Sequence, residues 1–277
     1  IYFNNHRIFT KDGLKLEREI SPSKDLLLLP KPKPEIKDVD YIELTIPPGY
    51  TKRVPVDEDF CYWLGFYVGD GHVSKHVTNQ ASMSTFVYLE CSNDEEANKL
   101  KEITKKVFNV DKVCQDYNPN PRLSFRDPGL VLWLKENCYL ASEDELRRQG
   151  YRAWLKKLPS WVLYLPDNKL KAVFKGLMDS DGSKLKNIKT YDAYSYTSVS
   201  RHLIGQVLYI GMRLGYYPTL RKVDSKHTTK IIRLNKKHTI IPKHTAYTVE
   251  FHKKVCSYSS PKEEDENFWY YSITKKS

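Results

Sequence analysis

The chain has 277 residues, 40% of them hydrophobic, with 20 Tyr, 10 Phe and 5 Trp; this is enough apolar area for one large or two modest cores, and it excludes a mini-protein or a disordered basic tail. A net charge of +11 points to a polyanionic partner held by phosphate neutralisation. Five cysteines without a CxxC pair and eight histidines without a metal-binding pattern read as reduced thiols and argue against zinc; with no membrane-length apolar stretch and no signal-like N-terminus, an intracellular protein, cytoplasmic or nuclear and not secreted, is expected.

In chain order, residues 1 to about 28 alternate around Lys11-Asp12-Gly13, which predicts a hairpin. Prolines 30, 32 and 34 then break regular structure as a linker or boundary. From Asp57, an apolar 3.6-residue pattern (Phe60, Leu64, Tyr67, Val68) predicts a helix capped by Asp57 or Asp59 and stopped by Gly71. A strand (STFVYLECS), an amphipathic helix (NDEEANKLKEITKKVFN) and two strands (DKVCQDYN, PRLSFRD) follow. LVLWLKENCYL and SEDELRRQGYRAWLKKL read as helical.

Residues 165–183 then repeat the earlier design, with Asp167 as cap, apolar Leu170, Val173, Phe174, Leu177 and Met178, and Asp181-Gly182 at the end. A strand, a helix and further strands follow in the same order as before. Asp70 and Asp181 lie 111 residues apart, a duplication that implies two subdomains about a pseudo-twofold axis. Gly65 with Gly69, and Gly176 with Ser180, make a flat stripe on each helix along which two backbones approach closely. Packing through these stripes brings Asp70 and Asp181 side by side at helix C-termini, where dangling carbonyls add negative charge. A divalent cation held by carboxylate and carbonyl oxygens balances that arrangement, as in a metal-dependent phosphodiesterase centre. A single Asp-Gly after a helix is an ordinary turn; the matched second copy gives the pair its weight.

WLGFYVGDG (63–71) and FKGLMDSDG (174–182) resemble the signature of the LAGLIDADG homing endonucleases, and two copies in one chain resemble the monomeric, double-motif members. The resemblance covers roughly residues 55–255. It implies an α+β fold of two pseudo-symmetric αββαββα subdomains, 55–165 and 166–256, whose sheets form a saddle over DNA. Val68 departs from the signature where its first acidic residue would stand; Asp179 retains that residue in the second copy and is read as structural. The resemblance further implies Asp70 and Asp181 as catalytic, metal ligation by both with the carbonyls of Gly69 and Ser180, and Mg2+ as cofactor, for which Mn2+ may substitute. It also implies an assisting lysine in each half: Lys156, with Lys157 beside it, in WLKKLPSW, and Lys253 or Lys254 in VEFHKKV. Residues 1–54 and 257–277 resemble partial intein splicing-domain segments, with His6 as the intein-like histidine. Starting at Ile1 and lacking a terminal His-Asn pair, the chain as given is not expected to splice.

Basic and aromatic residues interleave on the predicted strands, and such runs can turn one face to DNA. The candidates are His72, Lys75, His76, Lys112, Arg122 and Arg126 in the first half, then Lys184, Lys186, Lys189, Tyr191, Tyr194, Tyr196, Arg221, Lys222, Lys230, Arg233, Lys236 and Lys237. Most such contacts position phosphates. The expected function is a monomeric, intein-derived, site-specific endonuclease cutting both strands of a long asymmetric duplex, with no membrane partner. Alternatives on the same fold are a nucleic-acid-binding protein without cleavage, such as an RNA maturase or DNA regulator, and a fragment of a protein-splicing element.

Overall fold

The structure, a computed structural model, describes residues 7–21, 24–46, 49–73, 85–117, 119–141, 152–185, 193–223, 229–233, 236–240, 244–253 and 262–272; the side chains of Glu17, 229–240 and Ser272 are outside it. Its elements run β1 (Arg7–Thr10), β2 (Gly13–Leu16), β3 (Leu26–Pro30), β4 (Tyr41–Ile46), β5 (Tyr50–Pro55), α1 (Glu58–Asp70), β6 (Gly71–Val73), β7 (Phe86–Glu90), α2 (Asp94–Phe108), β8 (Cys114–Tyr117), β9 (Pro121–Arg126) and α3 (Pro128–Asn137). They continue with α4 (Asp167–Asp179), β10 (Gly182–Lys184), β11 (Ala193–Ser198), α5 (Arg201–Arg213), β12 (Tyr217–Val223), β13 (Thr229–Arg233), β14 (Lys236–Ile240), β15 (Ala246–His252), β16 (Glu263–Glu264) and β17 (Phe268–Ser272). This is a mixed α+β fold whose strand pairs are all antiparallel.

The two halves are wired alike. One sheet has the order β6-β7-β9-β8 and the other β10-β11-β15-β12, so in each the first two strands follow the long helix and the fourth in sequence lies beside the second. The second half differs by the β13–β14 hairpin inserted between β12 and β15. No helix after β15 lies among the described residues.

Asp57 caps α1, its side chain accepting from the Phe60 backbone N–H at 2.8 Å. Ten consecutive residues of α1, Phe60 to Gly69, are buried, because α4, α2 and the first sheet surround it. Gly71 does end α1, but in extended backbone (φ −93°) rather than the left-handed conformation. The glycine is needed for space, since a Cβ there would meet the Tyr67 ring at 2.3 Å and its carbonyl oxygen at 2.6 Å. Asp167 is not the cap of α4: Pro166 holds that position without a side-chain bond, and Asp167 opens the helix, pairing with Arg213 at 2.9 Å. Acidic charge in the first turn still complements the dipole.

The segment from 152 to 158 is not the helix expected. It holds a one-turn 3-10 helix (Ala153–Leu155) and then an extended stretch bridged to Tyr139 at Lys156; residues 142–151 lie outside the described ones. The β4–β5 hairpin, for which the sequence offered no signal beyond a terminal segment, buries Ile42, Leu44 and Val54 in the same core as α1. The core of the first half therefore takes in residues ahead of position 55. At the ends of the chain, β16-β17-β3-β1-β2 form one sheet. The hairpin around Gly13 (φ 115°) is part of it, and Trp269 packs edge-on against Tyr217 at 5.7 Å.

Candidate active site at the paired helix ends

α1 and α4 meet backbone to backbone. A Cβ on Gly65 would lie 2.2 Å from the carbonyl oxygen of Val173, and one on Gly176 would lie 2.1 Å from that of Tyr62. Tyr62 and Val173 are themselves 111 residues apart, so each contact has a mate displaced by the same interval, as self-complementary packing about a twofold axis requires. Gly69 faces Ser180 across that axis, where a Cβ would fall 2.0 Å from the serine Oγ. Ser180 turns its hydroxyl back into α4, donating to the carbonyls of Gly176 and Leu177 at 3.0 Å each.

Beyond these ends stand Asp70, half-buried, and Asp181, exposed. The carboxyl of Asp70 is pushed up to about 7, first by burial and second by the Asp181 charge, with Lys156 opposing both. Burial also raises Asp181, again with Lys156 opposing. Asp181 thus opens to solvent on one side while protein crowds the other; its accessibility decides what can reach it. Lys156 lies between them: its ammonium donates to the Gly69 carbonyl oxygen. Burial lowers its own affinity for the proton, and the charges of Asp181 and Asp70 raise it.

The lysine is held from both halves. Its backbone bridges to Tyr139, its carbonyl accepts from the Ser200 hydroxyl at 2.7 Å, and Gln206 clamps the neighbouring Leu158 through both backbone groups at 2.8 Å. Lys253 does not supply a second such lysine. It lies over the Tyr216 ring, 5.0 Å from the centroid, and among the described residues Lys156 is the cation acting on Asp181. Lys254 lies outside the described residues. Asp179 sits on the other flank, accepting from the Tyr62 hydroxyl at 2.9 Å and from Lys175 at 2.8 Å, a tie between the two helices.

On the first sheet, alternation puts Val73, Val87, Leu89, Leu123 and Phe125 into the core and His72, Tyr88, Arg122 and Arg126 on the open face. His72 stacks on Tyr88 at 4.8 Å, and Arg122 lies over the same ring while pairing with Asp116. Arg126 donates to the Thr85 hydroxyl at 3.0 Å, and Lys112 is exposed before β8.

The second sheet is different. Register puts Ser195, Thr197, Thr219, Arg221, Thr248 and Glu250 on its open face, where Arg221 pairs with Glu250 at 3.1 Å. Tyr194 and Tyr196 point the other way: Tyr194 packs edge-on against Phe174 at 6.1 Å and Tyr196 is wholly buried. Lys184 and Lys222 share that second face by register. These four are therefore not open-face residues; two-residue alternation from Arg221 and Ser195 puts them out of phase. Lys230, Arg233, Lys236 and Lys237 lie on the β13–β14 hairpin, their side chains outside the described set. His6, Lys75, His76, Lys186, Lys189 and Tyr191 lie outside the described residues altogether.

Hard oxygen donors suit a divalent cation, and the two carboxylates fit one. The Gly69 carbonyl is engaged by Lys156, and among the described residues no three His, Cys, Asp or Glu side chains cluster. Ionising Asp70 works against folding while no cation is bound. The raised carboxyl contributes stability that is fully present below its ordinary value near 3.8 and is lost as pH rises through about 7. In chelator, Asp70→Asn is expected to raise stability at pH 8 by about 2 kcal/mol, with little effect at pH 4. Thermal unfolding at the two pH values checks this.

Residues 168–248, in the second half, match the family model described as the LAGLIDADG-like domain. Over 228 residues, 78% of its length, the chain is 25% identical to the uncharacterized protein MJ0043 of Methanocaldococcus jannaschii. Over 176 residues, 63% of its length, it is 24% identical to the replication factor C small subunit of the same organism. It spans 25% and 8% of the length of these relatives. The structure of I-DmoI in complex with DNA and Mn aligns with 71% of this chain and 90% of its own, at 16% identity and a TM-score of 0.45.

Proposed function

We propose that the protein is a divalent-metal-dependent, site-specific homing endonuclease that hydrolyses both strands of a long asymmetric duplex as a monomer. The observation that carries this reading is the meeting of Asp70 and Asp181, one from each half, with Lys156 acting on both near the pseudo-twofold axis. The match of residues 168–248 to the LAGLIDADG-like domain supports it. A bound Mg2+, or Mn2+ in its place, would acidify and orient a water and stabilise the leaving oxygen.

In this mechanism Asp70 and Asp181 would hold the cation, each serving mainly one strand. Lys156 opposes the rise of both carboxyls, favouring their ionised forms, and offers its ammonium to the phosphate. The His72–Tyr88–Arg122 stack and Arg126 on one sheet, with Arg221 and the hydroxyl-rich face of the other, position the duplex backbone. Lys156→Met is expected to lower cleavage about 100-fold and to move the pH needed for half-maximal cation binding upwards, because its removal raises both carboxyls further. Cleavage rates and cation titrations across pH measure both.

Intein origin belongs to the same proposal: β3 pairs with β17, so the two segments that resemble splicing-domain pieces share a sheet, as an insertion between them would require. A second reading, duplex binding without cleavage, is favoured by the small donor set of two carboxylates. A plasmid pool with randomised inserts separates the two. Linear product that requires Mg2+ supports the endonuclease; retention of DNA with no product in Mg2+ or Mn2+ supports the binder.

A further inference from the structure

Tyr196 is wholly buried, and its hydroxyl has no hydrogen-bond partner among the described residues. An orphaned buried hydroxyl destabilises a fold, whereas a phenylalanine of the same shape would not. The position in the sheet is specific. Tyr196 pairs with Gly182, the residue after Asp181, and its side chain lies on the face turned towards the helices. Among the charges acting on its hydroxyl are Asp181 and Asp70. In the first half the equivalent partner of Gly71, the residue after Asp70, is Leu89, also wholly buried. At this paired position the second half therefore carries a buried hydroxyl where the first has only hydrocarbon.

We infer that Tyr196 is a positioning residue: its hydroxyl takes its missing hydrogen bond from the hydration shell of a divalent cation held at Asp181, making the second half's side of the centre stronger than the first. The inference rests on the proposed reading of the aspartate pair as a cation site. The group bonded is a water of that shell, with no covalent step.

Calorimetric titration with Mn2+ tests it on the full chain without DNA, comparing wild type, Tyr196→Phe and Asp181→Asn, with thermal unfolding in chelator alongside. Expected are Mn2+ binding by wild type, about tenfold weaker binding by Tyr196→Phe, loss of binding at that side in Asp181→Asn, and an unfolding temperature of Tyr196→Phe in chelator at or above wild type. Wild-type affinity in a folded Tyr196→Phe variant would overturn the inference and leave the aspartate reading standing. Absence of Mn2+ binding by wild type would overturn both. A variant with lowered unfolding temperature and proportionally weakened binding would make Tyr196 a core residue and overturn the inference alone.

Discussion

Asparagine at either Asp70 or Asp181 is expected to lower double-strand cleavage by about 10³-fold or more while leaving duplex binding within a few-fold of wild type. The substitution keeps shape and removes the charge that retains a cation. On the proposed reading binding survives because the basic residues that would position most of the duplex backbone sit on the open sheet faces, away from the helix ends. The two variants are not equivalent in stability. Asp70 is half-buried with its carboxyl pushed up to about 7, so its loss relieves the fold, whereas Asp181 opens to solvent and its loss changes stability less. Improved stability with lost activity in Asp70→Asn is the trade expected of a charge held for chemistry. Gel-resolved cleavage, duplex binding in Ca2+ and thermal unfolding measure the three quantities.

The second large effect concerns the helix pair. Gly65→Ala and Gly176→Ala each place a Cβ about 2 Å from a backbone carbonyl oxygen of the opposing helix, at Val173 and Tyr62. No rotamer change relieves a contact with backbone, so the helices must separate, moving Asp70 and Asp181 apart. Each substitution is expected to cost about 3 kcal/mol, roughly 10 °C in unfolding temperature. Gly205→Ala in α5 is the control: nothing lies within 4 Å of its added Cβ, and a gain of roughly 0.5–1 kcal/mol is expected from helix propensity. Thermal and denaturant unfolding of the three variants check the contrast.

The helix pair was legible because its constraint is local and doubled: small residues four apart, an aspartate after them, and the same spacing again 111 residues on. The resemblance of WLKKLPSW to a lysine-bearing segment of the family likewise pointed to Lys156. Its place beside both aspartates was not legible, since it depends on Ser200, the cap of α5, and Gln206 of α5 reaching back over more than 40 residues. A second lysine was not legible for the complementary reason: Lys253 lies over the Tyr216 ring, and Lys254 lies outside the described residues. A duplicated scaffold suggests a duplicated lysine, yet Lys156 lies in the segment that joins the halves, and a chain of two halves has one such joint. The four out-of-phase residues on the second sheet, Lys184, Tyr194, Tyr196 and Lys222, show the limit of composition. A basic and aromatic run states that a strand has two faces, and only the register of β10, β11, β12 and β15 states which face each side chain takes. The orphaned hydroxyl of Tyr196 had no signal in the sequence, because Tyr and Leu fill equivalent core positions with equal ease.

The account rests on one shared cation site between the two halves, and anomalous diffraction from crystals of the full chain soaked in Mn2+ tests that directly. It predicts density in contact with the carboxylates of Asp70 and Asp181 at the ends of α1 and α4, lost in the Asp70→Asn, Asp181→Asn double variant. Carboxylates turned to opposite sides of the molecule, or Mn2+ bound elsewhere with that site left without density, would contradict it.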